Sequence, residues 1–372
     1  MRVPFYDIKA QYDELQAEMD RVVHEVVSGG AYIMGPHHKA FEQECAELHQ
    51  VKHAIAVNSG TDALRIIMDA AGVGPGDEVI STAFTFVAST ETIVQTGATP
   101  VFVDIDPQTY CIDTSKIEAA ITPRTKAIMP IHLFGQLSDV TRINEIAAKH
   151  NLIVIEDAAQ AFGCHFKGKP AGNFGIAAAF SFYVTKNLGA CGDGGMIITN
   201  SDEIADSCRS LRIHGMGRER YYYDHVGYTS RLSELNAAFM QVKLKALGEW
   251  NERRARFAAI YADVLANTDL QLPVTQPGNN NTWHQYSIRS KRRDELQAFL
   301  KSKEVDSMIY YPVPLHFHEP YRSFGHGEGS LPETELAAQE ILNLPIHPHL
   351  SEDQVRYAAA CIHEFATDLV QA

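Results

Sequence analysis

Ile176-Ala177-Ala178-Ala179-Phe180-Ser181-Phe182-Tyr183-Val184-Thr185-Lys186-Asn187-Leu188-Gly189-Ala190 decides how this chain is read. The run from Ile176 to Phe180 is short and apolar, and reads as a buried strand. Gly192-Asp193-Gly194-Gly195 closes the stretch, and a second strand, Met196-Ile197-Ile198-Thr199, follows. Lys186 therefore stands on a small turn-rich segment between two buried strands. Desolvation disfavours the ammonium form and lowers a lysine's pKa. An amine of lowered pKa is what Schiff-base chemistry with a carbonyl requires. The plain alternative is a surface lysine on a loop, because lysines are rarely buried.

Two neighbouring stretches shift that balance. Leu152-Ile153-Val154-Ile155-Glu156-Asp157 is a hydrophobic strand with a carboxylate at its carboxyl end, the end at which open α/β sheets bind ligands. Asn58-Ser59-Gly60-Thr61-Asp62-Ala63-Leu64 follows the strand Ala54-Ile55-Ala56-Val57 and opens a helix. Free N–H groups and small hydroxyls at a helix start cradle phosphate. A phosphate cradle, a strand-end carboxylate and a desolvated lysine are the three protein groups that pyridoxal 5'-phosphate needs.

The rest of the chain supplies an alternating framework. Helical periodicity covers residues 11 to 28, with Leu15, Met19, Val22, Val23 and Val26 on one side, and Gly29-Gly30 stops it. A second helix is expected over 36 to 50. Strands are expected at 54–57, 78–81, 100–104, 126–132 and 152–156, with helices at 61–71, 84–96, 139–150 and 202–212. That alternation predicts an α/β fold with a mostly parallel sheet flanked by helices. No Gly-x-Gly-x-x-Gly follows the first strand, which disfavours a dinucleotide site. A helix over 232–247 is expected to run into a charged one over 249–265. Strand-like 285–289, helix 293–302 and strand-like 307–311 predict a smaller α+β unit. The division expected is 1–250, a large cofactor-binding domain, and 251–372, a small C-terminal one.

Together these stretches resemble the nucleotide-sugar aminotransferases, fold-type-I pyridoxal-phosphate enzymes that aminate keto sugars. The resemblance runs from Val3-Pro4-Phe5-Tyr6-Asp7-Ile8-Lys9, through Tyr32-Ile33-Met34-Gly35-Pro36, to Tyr310-Tyr311-Pro312-Val313-Pro314-Leu315-His316. Its most specific pieces are Ser59 to Leu64, Glu156-Asp157-Ala158-Ala159-Gln160, and Ser181-Phe182 followed by Lys186. It implies Lys186 as the catalytic lysine and proton shuttle, Asp157 on the pyridinium nitrogen and Gln160 on the phenolic oxygen. Gly60, Thr61 and Ser181 would hold the phosphate, and Phe86 would stack on the ring. Relatives with histidine at the lysine position dehydrate their sugars instead; lysine favours transamination. The family works as a homodimer with a shared active site, in which a Gly-Tyr-Asn-Ser-Arg-type motif reaches the partner's phosphate. Here Gly227-Tyr228-Thr229-Ser230-Arg231 has Thr229 at the asparagine position; its hydroxyl can still donate to phosphate but reaches less far.

The implied substrates are a nucleotide-linked keto sugar and L-glutamate. The first choice is a dTDP-3-keto-6-deoxyhexose, giving an amino sugar for a glycoside or a glycan such as lipopolysaccharide O-antigen. The alternatives are a UDP-linked 3-keto N-acetyl sugar acid, a 4-keto sugar, or a non-catalytic regulatory protein that keeps the fold. The diphosphate calls for a local basic site, for which Arg212, Arg218 and Arg220 are candidates. Tyr183, Tyr311 and His316 are candidates for the sugar pocket.

Composition narrows the rest. The 372 residues carry a formal net charge of −14, which argues against nucleic acid as a partner. No apolar run approaches a bilayer span, and the amino terminus lacks an apolar signal segment. The six cysteines are scattered singly, as in reduced cytoplasmic proteins. The histidines around 316 and 347 lack zinc-site spacing, so no metal is expected.

Overall fold

The computed structural model describes residues 1–367. Helix α1 (Ile8–Gly29) starts where the Asp7 carboxylate accepts from the Ala10 N–H at 2.8 Å, and stops at Gly30 in the left-handed conformation. Helix α2 (Pro36–His49) starts on proline, which has no N–H to leave unpaired. Strands and helices then alternate: β1 (His53–Val57), α3 (Gly60–Ala70), β2 (Glu78–Ser81), α4 (Val87–Gln95), β3 (Thr99–Phe102), short α5 (Thr114–Ile117), β4 (Thr125–Ile128), α6 (Val140–His150) and β5 (Ile153–Asp157). A small hairpin, β6 (His165–Phe166) and β7 (Lys169–Pro170), precedes β8 (Ala177–Ser181), β9 (Gly195–Thr199) and α7 (Asp202–Leu211).

Seven strands make one sheet in the order β1-β9-β8-β5-β4-β2-β3. The five from β3 to β8 are mutually parallel; β9 is antiparallel to both β8 and β1. The short lysine segment causes the reversal. It has no room for a crossover helix, so the strand after it must return antiparallel. Both faces of the sheet are buried. Ile55, Val57, Ala177, Ala179 and Ile197 pack in the layer under α3 and α7. Ala54, Ala56, Ala178, Phe180 and Ile198 pack on the opposite side, with Phe41 of α2. This is why these strands read as continuous apolar runs rather than alternating ones.

Helix α8 (Glu234–Leu265) is one unbroken helix of 32 residues, where two joined helices are expected from sequence. Gly248 sits inside it with open space around it. Beyond it lie β10 (Tyr286–Arg289), α9 (Arg293–Ser302), α10 (Pro332–Glu340), β11 (Ile341–Leu344) and α11 (Glu352–Thr367). β10 and β11 pair antiparallel, and their core draws in Phe257 and Tyr261 of α8 together with Val3. The expected strand over 307–311 is absent: only Met308 makes a bridge, to Asn343, and Tyr310 and Tyr311 face the cavity described next instead of a partner strand. The expected strand over 126–132 is likewise cut to β4, after which Ile131 makes an isolated bridge to Asp157.

Candidate active site

A cavity of about 430 Å³ opens at the carboxyl ends of the parallel strands, where such sheets place ligands. Each strand delivers its own residues. Ser59, Gly60 and Thr61 follow β1; Thr85, Phe86 and Ser89 follow β2; Phe134 follows β4; Asp157 and Gln160 end β5; Ser181, Tyr183 and Lys186 follow β8. Tyr6, His284, Gln285, Tyr310 and Tyr311 close it from the other side.

Gly60 and Thr61 are the first two residues of α3, so their N–H groups have no intrahelical acceptor. Ser59 caps the helix by accepting from the Asp62 N–H at 3.0 Å. The cradle is built for close approach. A Cβ on Gly60 would stand 2.7 Å from the Ser181 Cβ, and one on Gly195 would stand 2.3 Å from the Ser59 carbonyl oxygen. Neither position has room for a side chain.

Lys186 sits on a tight turn, with its N–H donating to the Tyr183 carbonyl at 2.8 Å. Part of its surface faces the cavity, and the remainder is packed away from water. Burial pushes its amine down to about 8, against a smaller upward pull from Asp157. Asp157 is only 5% exposed. Burial raises its carboxyl above the usual value, opposed by the Ser89 hydroxyl, the Ala159 N–H and the charge of Lys186.

The residue after the lysine ties it down. Asn187 Nδ2 donates to Asn251 Oδ1 at 2.9 Å and to the Thr282 carbonyl at 2.8 Å. Its Oδ1 is left to accept from His284 Nδ1 at 3.1 Å. His284 is thus neutral with its proton on Nδ1, and burial and the Lys186 charge hold its pKa well below the usual range.

Gln160 does not stand free. Its Oε1 accepts from the Phe134 N–H at 2.9 Å, and its Nε2 donates to the Tyr311 hydroxyl at 3.2 Å. One N–H of that amide remains for a ligand oxygen. The Tyr6 and Tyr310 hydroxyls lie 3.3 Å apart beside Gln285. Phe86 and Tyr183 are exposed at the mouth.

Nine residues expected from sequence thus line one cavity: Gly60, Thr61, Phe86, Asp157, Gln160, Ser181, Tyr183, Lys186 and Tyr311. Five do not. Arg212 is a correction. It is 4% exposed and turned inward, with its guanidinium on the Glu42 carboxylate at 2.5 Å and on the Ala56 carbonyl at 2.8 Å. Its place at the end of α7 forces this, because the apolar face of that helix lies on the sheet. His316 is a second correction: it is 1% exposed, outside the cavity, with Nε2 on Glu335 at 3.3 Å. Arg218 and Arg220 lie exposed on the segment after α7, away from this chain's own cavity. So does Thr229, whose hydroxyl lies 3.2 Å from the His214 ring. Arg212→Ala is therefore expected to lower stability by about 3 kcal/mol, the scale of orphaning one member of a buried pair, and to leave KM unchanged. Thermal unfolding and steady-state kinetics check this; an unchanged Tm with raised KM would return Arg212 to the substrate.

Sequence reading missed Tyr6, Ser89, His284, Gln285 and Tyr310. Only Ser89 carries a usable signal: it is a small hydroxyl in the first turn of the helix that follows the carboxyl end of β2, where such sheets bind ligands. Among the described residues no group of three metal-binding side chains is placed to hold an ion, and no helix is long and apolar enough to cross a membrane.

The cradle, amine and carboxylate converge as pyridoxal phosphate would need. Comparison with known proteins agrees. Residues 13–363 match the DegT/DnrJ/EryC1/StrS aminotransferase family. The chain belongs to this family. A relative from Geobacillus stearothermophilus, called a pleiotropic regulatory protein, is 49% identical over 98% of this chain and 99% of its own. The dTDP-3-amino-3,4,6-trideoxy-alpha-D-glucose transaminase of Streptomyces venezuelae is 42% identical, covering 100% of this chain and 98% of its own. The crystal structure of S. venezuelae DesV superposes with a TM-score of 0.96 at 42% identity, over 98% of this chain and 99% of that one. Within this aminotransferase family the expected lysine, aspartate and cradle all fall in the one cavity, as does the mostly parallel sheet that presents them.

Proposed function

We propose that the protein is a pyridoxal-phosphate-dependent aminotransferase that moves an amino group from L-glutamate to a nucleotide-linked keto sugar, with a dTDP-3-keto-6-deoxyhexose as first choice. The observation that carries this reading is the low-pKa amine of Lys186 sharing a cavity with buried Asp157 and the Gly60–Ser181 cradle. The sugar rests on the S. venezuelae relative, whose name states a dTDP-linked 3-amino sugar.

When bound, the cofactor supplies an electron sink for charge developing at the substrate carbon. The chain does the rest. Gly60, Thr61 and Ser181 would hold the phosphate, Asp157 would keep a proton on the ring nitrogen, and Gln160 would donate its spare N–H to the phenolic oxygen. Phe86 would supply the aromatic contact to the ring. Lys186 takes and returns the proton at its Nζ. Tyr183 and Tyr311, with Tyr6 and Tyr310, form the hydroxyl-bearing wall for the sugar. Arg218, Arg220 and Thr229, exposed outside this chain's own cavity, serve the cavity of a second copy in a homodimer. Residues 1–250 form the cofactor-binding domain and 251–372 the smaller one, and the enzyme acts in the cytoplasm.

The second reading is regulatory, favoured by the name of the Geobacillus relative. Visible absorbance before and after glutamate separates the two. A cofactor band that glutamate bleaches, with release of 2-oxoglutarate, supports the enzyme. A protein that stays colourless with added cofactor moves the regulatory reading forward. A keto-sugar panel then fixes base and ring carbon, and a strict C4 product overturns the C3 choice.

A further inference from the structure

Asp157 is held from two sides. Its Oδ1 accepts from the Ala159 N–H at 3.1 Å, and its Oδ2 accepts from the Ser89 hydroxyl at 2.7 Å. A carboxylate offers no proton, so the single hydroxyl hydrogen of Ser89 is committed to Asp157. The Ser89 oxygen lies 3.1 Å from Thr85 Oγ1. With the Ser89 hydrogen spent, Thr85 must be the donor in that contact. The order is fixed: Thr85 hydroxyl to Ser89 oxygen, Ser89 hydroxyl to Asp157. Thr85 and Ser89 are 3% and 2% exposed, and all three residues line the cavity. Polarised chains of this kind strengthen their members in a dry site.

We infer that Ser89, backed by Thr85, is the positioning residue that keeps Asp157 ionised and aimed, so that the site can retain a cofactor with a protonated ring nitrogen. The inference rests on the proposed function, because it concerns the partner of that nitrogen. The chain gives a reason for the device. Asp157 is buried, and burial alone favours its neutral form, which could not hold a pyridinium proton. The other groups facing Asp157 are Lys186, His132 and Tyr311, with Glu156 next to it in β5. The Lys186 charge acts on it through space, without a hydrogen bond. His132 takes its Nε2 to Glu156 at 3.0 Å. Tyr311 carries no charge that would help, because burial pushes its hydroxyl well up. Among the described side chains only Ser89 hydrogen-bonds the carboxylate directly.

Removing the hydroxyl takes away a hydrogen bond to a charged group, so the Asp157 pKa rises and the carboxylate protonates at higher pH. The test is equilibrium cofactor binding, followed by visible absorbance between pH 5 and pH 8, with wild type, Ser89→Ala, Ser89→Thr and Thr85→Val. Ser89→Ala is expected to displace the acid limb of binding upward by about one pH unit, with binding up to about tenfold weaker on that limb and little changed above it, the scale of one charge-assisted bond. Thr85→Val moves the limb the same way by less. Ser89→Thr restores the hydroxyl and returns the limb toward wild type. A structural role for Ser89 would lower affinity equally at every pH. That uniform loss overturns the inference, as does an unmoved limb in Ser89→Ala. A wild-type chain that binds no pyridoxal phosphate sinks the proposed function itself, and the inference with it. Wild-type binding with an unmoved limb sinks the inference alone.

Discussion

Lys186→Ala is expected to fold normally, to lose the visible cofactor band, and to lower kcat/KM by a factor on the order of 10⁴, the upper range for removing a positioned proton-transfer group. An ordinary lysine, with a pKa near 10.4, is unprotonated in roughly one molecule in 2,500 at pH 7. With Lys186 at about 8, that fraction becomes roughly one in ten. Only the neutral amine can attack a carbonyl, so the burial of this one side chain raises the reactive population several hundredfold. Capture of pyridoxal phosphate by the cofactor-free protein should accordingly speed up with pH and level off above about 8. Lys186→Arg gives no rescue, because a guanidinium stays charged at every working pH. Stopped-flow absorbance measures the capture rate. A plateau only near pH 10 would mean that the amine is solvated and that the reading of the cavity is wrong. An alanine variant with more than a tenth of wild-type turnover would remove Lys186 from the chemistry altogether.

The parts of this site that were legible in sequence share one property: each combines an unusual residue type with a strand end. The pair Glu156-Asp157 after four apolar residues, Lys186 between two apolar runs, and Ser59-Gly60-Thr61 after β1 all break a hydrophobic pattern at the point where the chain leaves the sheet. Arg212 breaks a pattern too, yet it faces Glu42 inside the protein. Which way a helix-end arginine points depends on the roll of α7 against the sheet, and composition does not carry that. Tyr6, His284 and Tyr310 were not assignable to the site from sequence, for a different reason. They come from three segments far apart in the chain, and only the docking of the β10–β11 unit against the large sheet brings them to one wall. The strand expected over 307–311 failed on the same ground. Its β-branched and aromatic residues suit a strand, but Ile309 packs into the core while Tyr310 and Tyr311 turn to the cavity. The merging of two expected helices into α8 reflects packing: its buried face runs without interruption from Ala237 to Leu265, and one glycine, Gly248, is too small a penalty to break it.

Glu156, the neighbour of Asp157, is where the largest loss of stability is expected. Its side chain is wholly buried and fully engaged. Oε1 accepts from the Phe174 and Gly175 N–H groups, each at 2.7 Å, and Oε2 accepts from the Gly172 N–H at 2.8 Å and from His132 Nε2 at 3.0 Å. His132 Nδ1 accepts from the Ser138 N–H at 3.2 Å, so the ring proton lies on Nε2 and the ring is neutral. Four donors therefore converge on one carboxylate, and they hold the loop that feeds β8 and, through it, Lys186. Glu156→Ala leaves all four without an acceptor. At about 1–3 kcal/mol for each orphaned buried group, partly relieved by relaxation and water entry, the expected cost is about 4 kcal/mol, a large share of the roughly 5–15 kcal/mol that folded proteins have. Glu156→Gln keeps the shape but turns an N–H toward donors, and should cost about half as much. The effect has a defined pH dependence. Burial would raise the Glu156 carboxyl, but the hydrogen bond from His132 and those from the backbone N–H groups outweigh it, and the folded value falls below the ordinary one. A group depressed in the folded state stabilises fully above its unfolded pKa, about 4.3 for a glutamate, and loses that contribution as pH falls through the folded value. The gap in unfolding free energy between wild type and Glu156→Gln should thus be constant from pH 6 to pH 8 and narrow below about pH 4. Urea denaturation across that range measures it. A Glu156→Ala protein within 1 kcal/mol of wild type at pH 7, or a gap that widens in acid, would show that the four donors find other partners and that the carboxylate is not what holds the lysine-bearing strand in place.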